Sequence, residues 1–232
     1  VEIWNSIVQR EDDLMGFRAA ERDKCNNVLN ATAVDHGYMY ATTGGTYYNY
    51  NTLADVLNYD KMKWGNGTLW GPAHEFGHNH QQLFNTAGMT EISVNMYSNM
   101  VMFTSGRVTS RSENCSYTDV DGKKYDGVCE SAVSTYADRF ANKKKWFEYG
   151  TWGTTQMYYK LYMMFHSTGL DDQFWHKCLD YLRTHRLEGQ GTANCQGQND
   201  YLLFAKACSF AAKQDLSSFF EAWGHFYDVN GS

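Results

Sequence analysis

Between residues 70 and 81 the chain runs Trp70-Gly71-Pro72-Ala73-His74-Glu75-Phe76-Gly77-His78-Asn79-His80-Gln81. Pro72, the one proline in 232 residues, stands two places before His74. Proline is accepted in the first helical turn, where its missing N–H is not needed and its fixed φ starts the helix. The pattern therefore predicts a helix from Pro72 to Phe84. On that helix His74 and His78 lie four positions apart and project from one face. This spacing lets two imidazoles reach one Zn²⁺ at about 2.0–2.1 Å. Glu75 is too close to the first histidine to coordinate comfortably, but it can reach a water at the metal and is the expected general base. Gly77 costs the helix about 1 kcal/mol relative to alanine, so a close neighbour is expected against it.

A catalytic zinc needs a third protein ligand and an open position. The metzincin continuation, a glycine and then a third histidine, is excluded because those positions hold Gln81 and Phe84. His80 points elsewhere on the helix and is expected to be a surface or supporting group. After the break at Asn85-Thr86-Ala87-Gly88, Thr90 is a good N-cap for a second helix running to about Phe103. Glu91, at the start of that helix, is the expected third ligand. Its alternative is a first-turn acid stabilised by the helix dipole. Asn95 is four residues further on the same face, placed to accept the second ring N–H of a ligating histidine and fix its tautomer.

The run from Trp70 to Gln81, followed by Gly88-Met89-Thr90-Glu91 and Asn95-Met96-Tyr97-Ser98, resembles the enhancin-like and mucinase zinc metallopeptidases of peptidase family M60. The stretch from Trp4 to Gly16 and the ending Asp215 to Gly224 also look like that family, so the likeness spans nearly the whole chain. The resemblance implies a gluzincin holding one catalytic Zn²⁺ through His74, His78 and Glu91. It further implies a secreted or cell-surface endopeptidase acting on mucin-type O-glycosylated proteins. Relatives carry upstream β-domains and carbohydrate-binding modules, which suggests a monomeric catalytic domain cut from a larger multidomain protein.

Away from this region, the net charge of −6 argues against a phosphate-binding surface and hence against nucleic acid as a partner. No apolar run is long enough to span a membrane, and no basic and apolar leader opens the chain. Residues 3–29 have helical spacing through Ile3, Trp4, Ile7, Val8, Leu14 and Met15, followed by Phe17 and Val28. From Val34 to about Leu69 the texture is Tyr-, Thr- and Gly-rich, with Tyr38 to Thr42 as the clearest strand. Residues 105–128 read as a polar loop. Helices are expected at 129–144, 154–167, 171–187, 200–213 and 215–223. The expected fold is α+β: one catalytic domain over 1–232, with a small β-containing lobe to about 70, a mostly helical lobe beyond, and the zinc cleft between them.

The strand at Tyr38–Thr42 is a natural edge for an extended peptide, and Tyr38, Tyr40 and Trp70 are the candidate substrate contacts. Tyr158, Tyr159 and His166 are candidates for stabilising an oxyanion, although a core role suits each. Six widely spaced cysteines without a Cys-x-x-Cys pair suit a disulfide-bearing secreted protein. Cys115 with Cys129 and Cys195 with Cys208 are candidate pairs among the 15 connectivities that six cysteines allow, and buried free thiols are the alternative. The rival to an enzyme is an inactive glycan- or protein-binding module that has kept the zinc fold; the intact Glu75 speaks against it.

Overall fold

The computed structural model describes residues 1–17, 31–42, 45–63, 68–81, 90–105, 116–118, 124–126, 141–142, 148, 150–185 and 198–226. Helix α1 (Glu2–Met15) buries Ile7, Leu14 and Met15 on one stripe. Gly16 ends it in the left-handed conformation at φ 65°. The N–H groups of Gly16 and Phe17 donate to the carbonyls of Asp13 and Asp12. The helix expected over 3–29 therefore stops at Met15, because a glycine C-cap closes it although apolar spacing continues. Residues 18–30 lie outside the described set.

Strands β1 (Ala31–Val34), β2 (Met39–Thr42) and β3 (Gly45–Asn49) form a sheet in the order β1-β3-β2. Strand β3 runs parallel to β1 and antiparallel to β2, so β2 is an edge of this sheet. Tyr48 of β3 is fully buried and meets the Trp4 ring edge-on at 5.9 Å. The strand-rich texture ends at Asn49, whose side chain accepts the Thr52 N–H at 2.9 Å and starts α2 (Tyr50–Val56). A short α3 (Tyr59–Lys63) follows.

Helix α4 (Trp70–His80) begins two residues earlier than expected, with Leu69 as its N-cap. Pro72 is still within the first turn, and His74 opens the second. The single helix expected from Thr90 is divided at Val94 into α5 (Thr90–Ser93) and α6 (Asn95–Thr104). The polar loop contains a small hairpin, β4 (Ser116–Thr118) with β5 (Lys124–Asp126), in which Tyr117 faces Tyr125. Three-residue strands are too short for alternation to register in sequence.

The helical remainder comprises α7 (Gly150–Tyr162) with a π-helical turn at Met163–Ser167, α8 (Phe174–Thr184), α9 (Gln198–Ala212) and α10 (Ser217–Ala222). The expected helix at 129–144 and its lysine run lie almost wholly outside the described residues. The chain forms two compact units: Val1–Gln82 with Val94–Gly127, and Leu83–Ser93 with Val128–Ser232. In the first, α4 packs on α1, α6, β2 and β3. In the second, α8 packs on α9 through fully buried aromatics, including Trp175 and Phe204, and α10 adds Phe220. The architecture is α+β: mostly helical, with its three-stranded sheet near the N-terminus.

Candidate metal centre

His74 and His78 are both half-buried on α4, with their ring centroids 4.8 Å apart and nearly perpendicular. The Nδ1 of His74 lies 3.0 Å from Asn95 Oδ1 on α6. The Nδ1 of His78 lies 2.9 Å from Gln81 Oε1, just past the end of α4. An amide oxygen only accepts, so each Nδ1 carries the proton and donates it. This fixes the Nε2 lone pair of both rings as the ligand position. His74, His78 and Glu91 each present a ligand atom, and these atoms lie within 4.8 Å of one another.

That geometry fits a metal ion. Ligand atoms bound tetrahedrally at about 2.1 Å stand about 3.4 Å apart, a modest contraction from the observed spread. Two imidazoles and one carboxylate form the donor set of a catalytic zinc site with an open position, and they suit zinc better than calcium or magnesium, which prefer oxygen ligands.

Glu75 follows the first histidine and is buried at 7% exposure. Gly77 faces Tyr97 of α6 so closely that an added Cβ would stand 2.8 Å from the Tyr97 Cβ. This is the close neighbour that a glycine inside the helix required. Tyr38 is exposed just before β2, and its carbonyl accepts the Asn49 N–H and the Thr52 hydroxyl. Tyr40 stacks on Tyr47 at 4.7 Å, and its hydroxyl is 3.3 Å from His36 Nε2. Trp70 is buried, and its carbonyl accepts the Ser98 hydroxyl. The structure thus brings His74, His78, Glu91 and Asn95 together, and places the two tyrosines on or beside the edge strand. Tyr158 and Tyr159 are buried in the second unit, whereas His166 is half-buried and stacks on Tyr162.

Sequence reasoning missed two groups. Gln81 is three residues after His78 and therefore on its face, a signal available from helical spacing alone. Glu11 interrupts the apolar stripe of α1 and is 1% exposed. Its carboxyl lies 3.0 Å from Nδ1 of His80, which is also buried. Burial, then the neighbouring Asp12, raises the Glu11 pKa well above the usual carboxylate range, while burial lowers His80 to about 4. Both shifts favour the neutral forms, and the contact ties α1 to the histidine-bearing helix.

The family model for peptidase M60, enhancin and enhancin-like, matches residues 1–224. No curated protein matches the chain at a significant level. Among solved structures, the chain is similar to a metallopeptidase in complex with Tn antigen, with 28% identity and a TM-score of 0.80 over 97% of this chain and 40% of that one. It is also similar to a metallopeptidase from Bacteroides thetaiotaomicron, with 27% identity and a TM-score of 0.79 over 97% of this chain and 36% of that one. The M60 catalytic domain of Clostridium perfringens ZmpC, in complex with the sialyl T antigen, shares the fold at 18% identity and a TM-score of 0.60, over 100% of this chain and 42% of that one. The chain thus spans roughly two fifths of the length of these structures. With the family model covering nearly every residue and a His-His-Glu group able to hold a metal, the chain belongs to the peptidase M60, enhancin and enhancin-like family of metallopeptidases.

Proposed function

We propose that this chain is the catalytic domain of a zinc-dependent endopeptidase that cleaves mucin-type O-glycosylated proteins. The observation that carries the reading is the grouping of His74, His78 and Glu91 around one point, with Glu75 beside the first ligand. The complexes of similar proteins with Tn and sialyl T antigens support an O-glycoprotein as substrate.

His74, His78 and Glu91 would hold the ion, and Asn95 and Gln81 would orient the two imidazoles. A bound Zn²⁺ supplies Lewis acidity, polarising the scissile carbonyl and lowering the pKa of water towards neutrality. Glu75 accepts a proton from the attacking water on its carboxylate and returns it to the departing amine nitrogen. Strand β2 lies against α4, with the Met39 sulfur beside Gly71, so an extended substrate pairing with this edge runs along the histidine-bearing helix. Tyr38 and Tyr40 are the side chains placed to meet it; Trp70 supports the helix start and offers little exposed ring.

Glu75→Gln tests this. The variant keeps the carbonyl oxygen and shape while losing the base, so it should retain zinc by elemental analysis. Its turnover of an O-glycosylated substrate should fall by about 10²–10⁴-fold. Equal cleavage by both proteins would exclude Glu75 as the base, and cleavage by neither would leave the inactive binding module as the reading. Cleavage of the glycan-free polypeptide at the same rate would exclude the substrate class alone. Secretion or cell-surface display, attachment to further domains and a monomeric state complete the proposal.

A further inference from the structure

Two cysteines on neighbouring helices meet in the core of the second unit. Cys178 on α8 and Cys208 on α9 are both fully buried, and their sulfur atoms are 3.6 Å apart. A disulfide requires about 2.0 Å between sulfurs, so rotation about the Cα–Cβ bonds must bring the two atoms closer. The helices that carry them pack against each other, with Trp175 of α8 edge-on to Phe204 of α9 at 6.3 Å and Phe174, Leu179, Ala207 and Ala211 also buried. We propose that Cys178 and Cys208 form a disulfide when the protein matures in an oxidising compartment, joining α8 to α9 across 30 residues of chain.

The chemistry is thiol–disulfide exchange with a small-molecule or protein disulfide as oxidant. One cysteine thiolate attacks the donor's sulfur, giving a mixed disulfide and releasing one donor thiol. The second cysteine then displaces the remaining donor sulfur. Two cysteine S–H bonds are lost and one S–S bond forms, while the donor gains the two electrons and two protons as thiols. Exchange belongs to folding rather than to the finished protein. In the folded core, burial pushes the Cys208 thiol well above its ordinary pKa, removing the nucleophilic thiolate, and full burial excludes the donor. Sequence spacing paired Cys208 with Cys195, which lies outside the described residues. The thiol that meets Cys208 is that of Cys178, a neighbour set by helix packing and invisible to spacing.

Peptide mapping tests the bond without altering the protein. The chain is secreted, or refolded in a glutathione redox buffer, then alkylated with iodoacetamide in denaturant and digested with trypsin without reduction. Cleavage after Lys177, Arg183, Arg186, Lys206 and Lys213 places Cys178, Cys195 and Cys208 on three separate peptides, 178–183, 187–206 and 207–213. The expected dominant species links 178–183 to 207–213, weighs two hydrogens less than the reduced pair, and separates on reduction. Alkylated 178–183 and 207–213 as the main forms, or a link from 207–213 to 187–206, would overturn the assignment. Neither result bears on the metal centre.

Discussion

At positions 74 and 78 each imidazole is anchored through its Nδ1. The Asn95 and Gln81 amide oxygens hold Nδ1 at 3.0 and 2.9 Å. Removing either acceptor takes away this restraint on ring orientation and tautomer, and such losses typically weaken metal binding by about 10–100-fold. Asn95→Ala and Gln81→Ala should each lower zinc affinity by that factor in competition with a chromophoric chelator. Unchanged affinity in either variant would mean that its amide does not orient the ligand. Asn95 was legible in sequence by its four-residue spacing from Glu91 on one expected helix; the structure divides that helix at Val94 and gives Asn95 His74 as partner. Gln81 was equally legible by its distance from His78, but in sequence it registers first as the residue that breaks a metzincin pattern. The Glu11–His80 contact was not legible, since its partners are 69 residues apart and no local periodicity links them.

Helix α4 can approach α6 only because Gly77 has no side chain. An added Cβ would come within 2.8 Å of the Tyr97 Cβ and 3.0 Å of its ring. That contact is with the root of the side chain and cannot be relieved by turning a flexible tip. Gly77→Ala should therefore destabilise the protein by about 1–3 kcal/mol, overriding the roughly 1 kcal/mol that alanine gains in helix propensity. Thermal unfolding monitored by circular dichroism would show a lower Tm; an equal or higher Tm would show that the two helices separate without cost. At Gly71 the added atom meets the Met39 thioether, a flexible end, and the penalty there should be smaller. Element boundaries were harder to read than element type. Helix α1 ends at a left-handed glycine in the middle of a continuing apolar pattern. The segment after Asn49 turns helical through one side-chain cap, despite a strand-like composition.

For the molecule as a whole, acid should destabilise the fold through a histidine far in sequence from His74 and His78. His225 is fully buried and donates from Nε2 to the Tyr201 carbonyl at 3.2 Å. Burial lowers its pKa to about 3, opposed by that hydrogen bond. The folded state keeps this ring neutral while the unfolded chain protonates near 6.5, so the unfolded state binds more protons between these values. Its contribution to stability is complete above pH 6.5 and is lost as pH falls towards 3. From pH 7 to pH 5 it should lower the unfolding free energy by about 2 kcal/mol, measurable by urea titration. His225→Phe should flatten that decline, and an unchanged slope would assign the acid sensitivity to other groups.

What the sequence determined by itself was local chemistry. Helical spacing places His74 and His78 on one face, Pro72 in the first turn, Glu75 beside the first histidine, and a close contact at Gly77, all within a few residues of backbone geometry. The order of elements, a strand-bearing N-terminal part before a run of helices, was legible for the same reason. Only the tertiary structure decided which distant groups meet: Asn95 with His74, Tyr97 with Gly77, Glu11 with His80, and Cys178 with Cys208. These partners are selected by packing, where burial makes an unpaired polar group costly and a missing Cβ useful. Packing sums contributions from many remote residues, so no short window of sequence contains the answer.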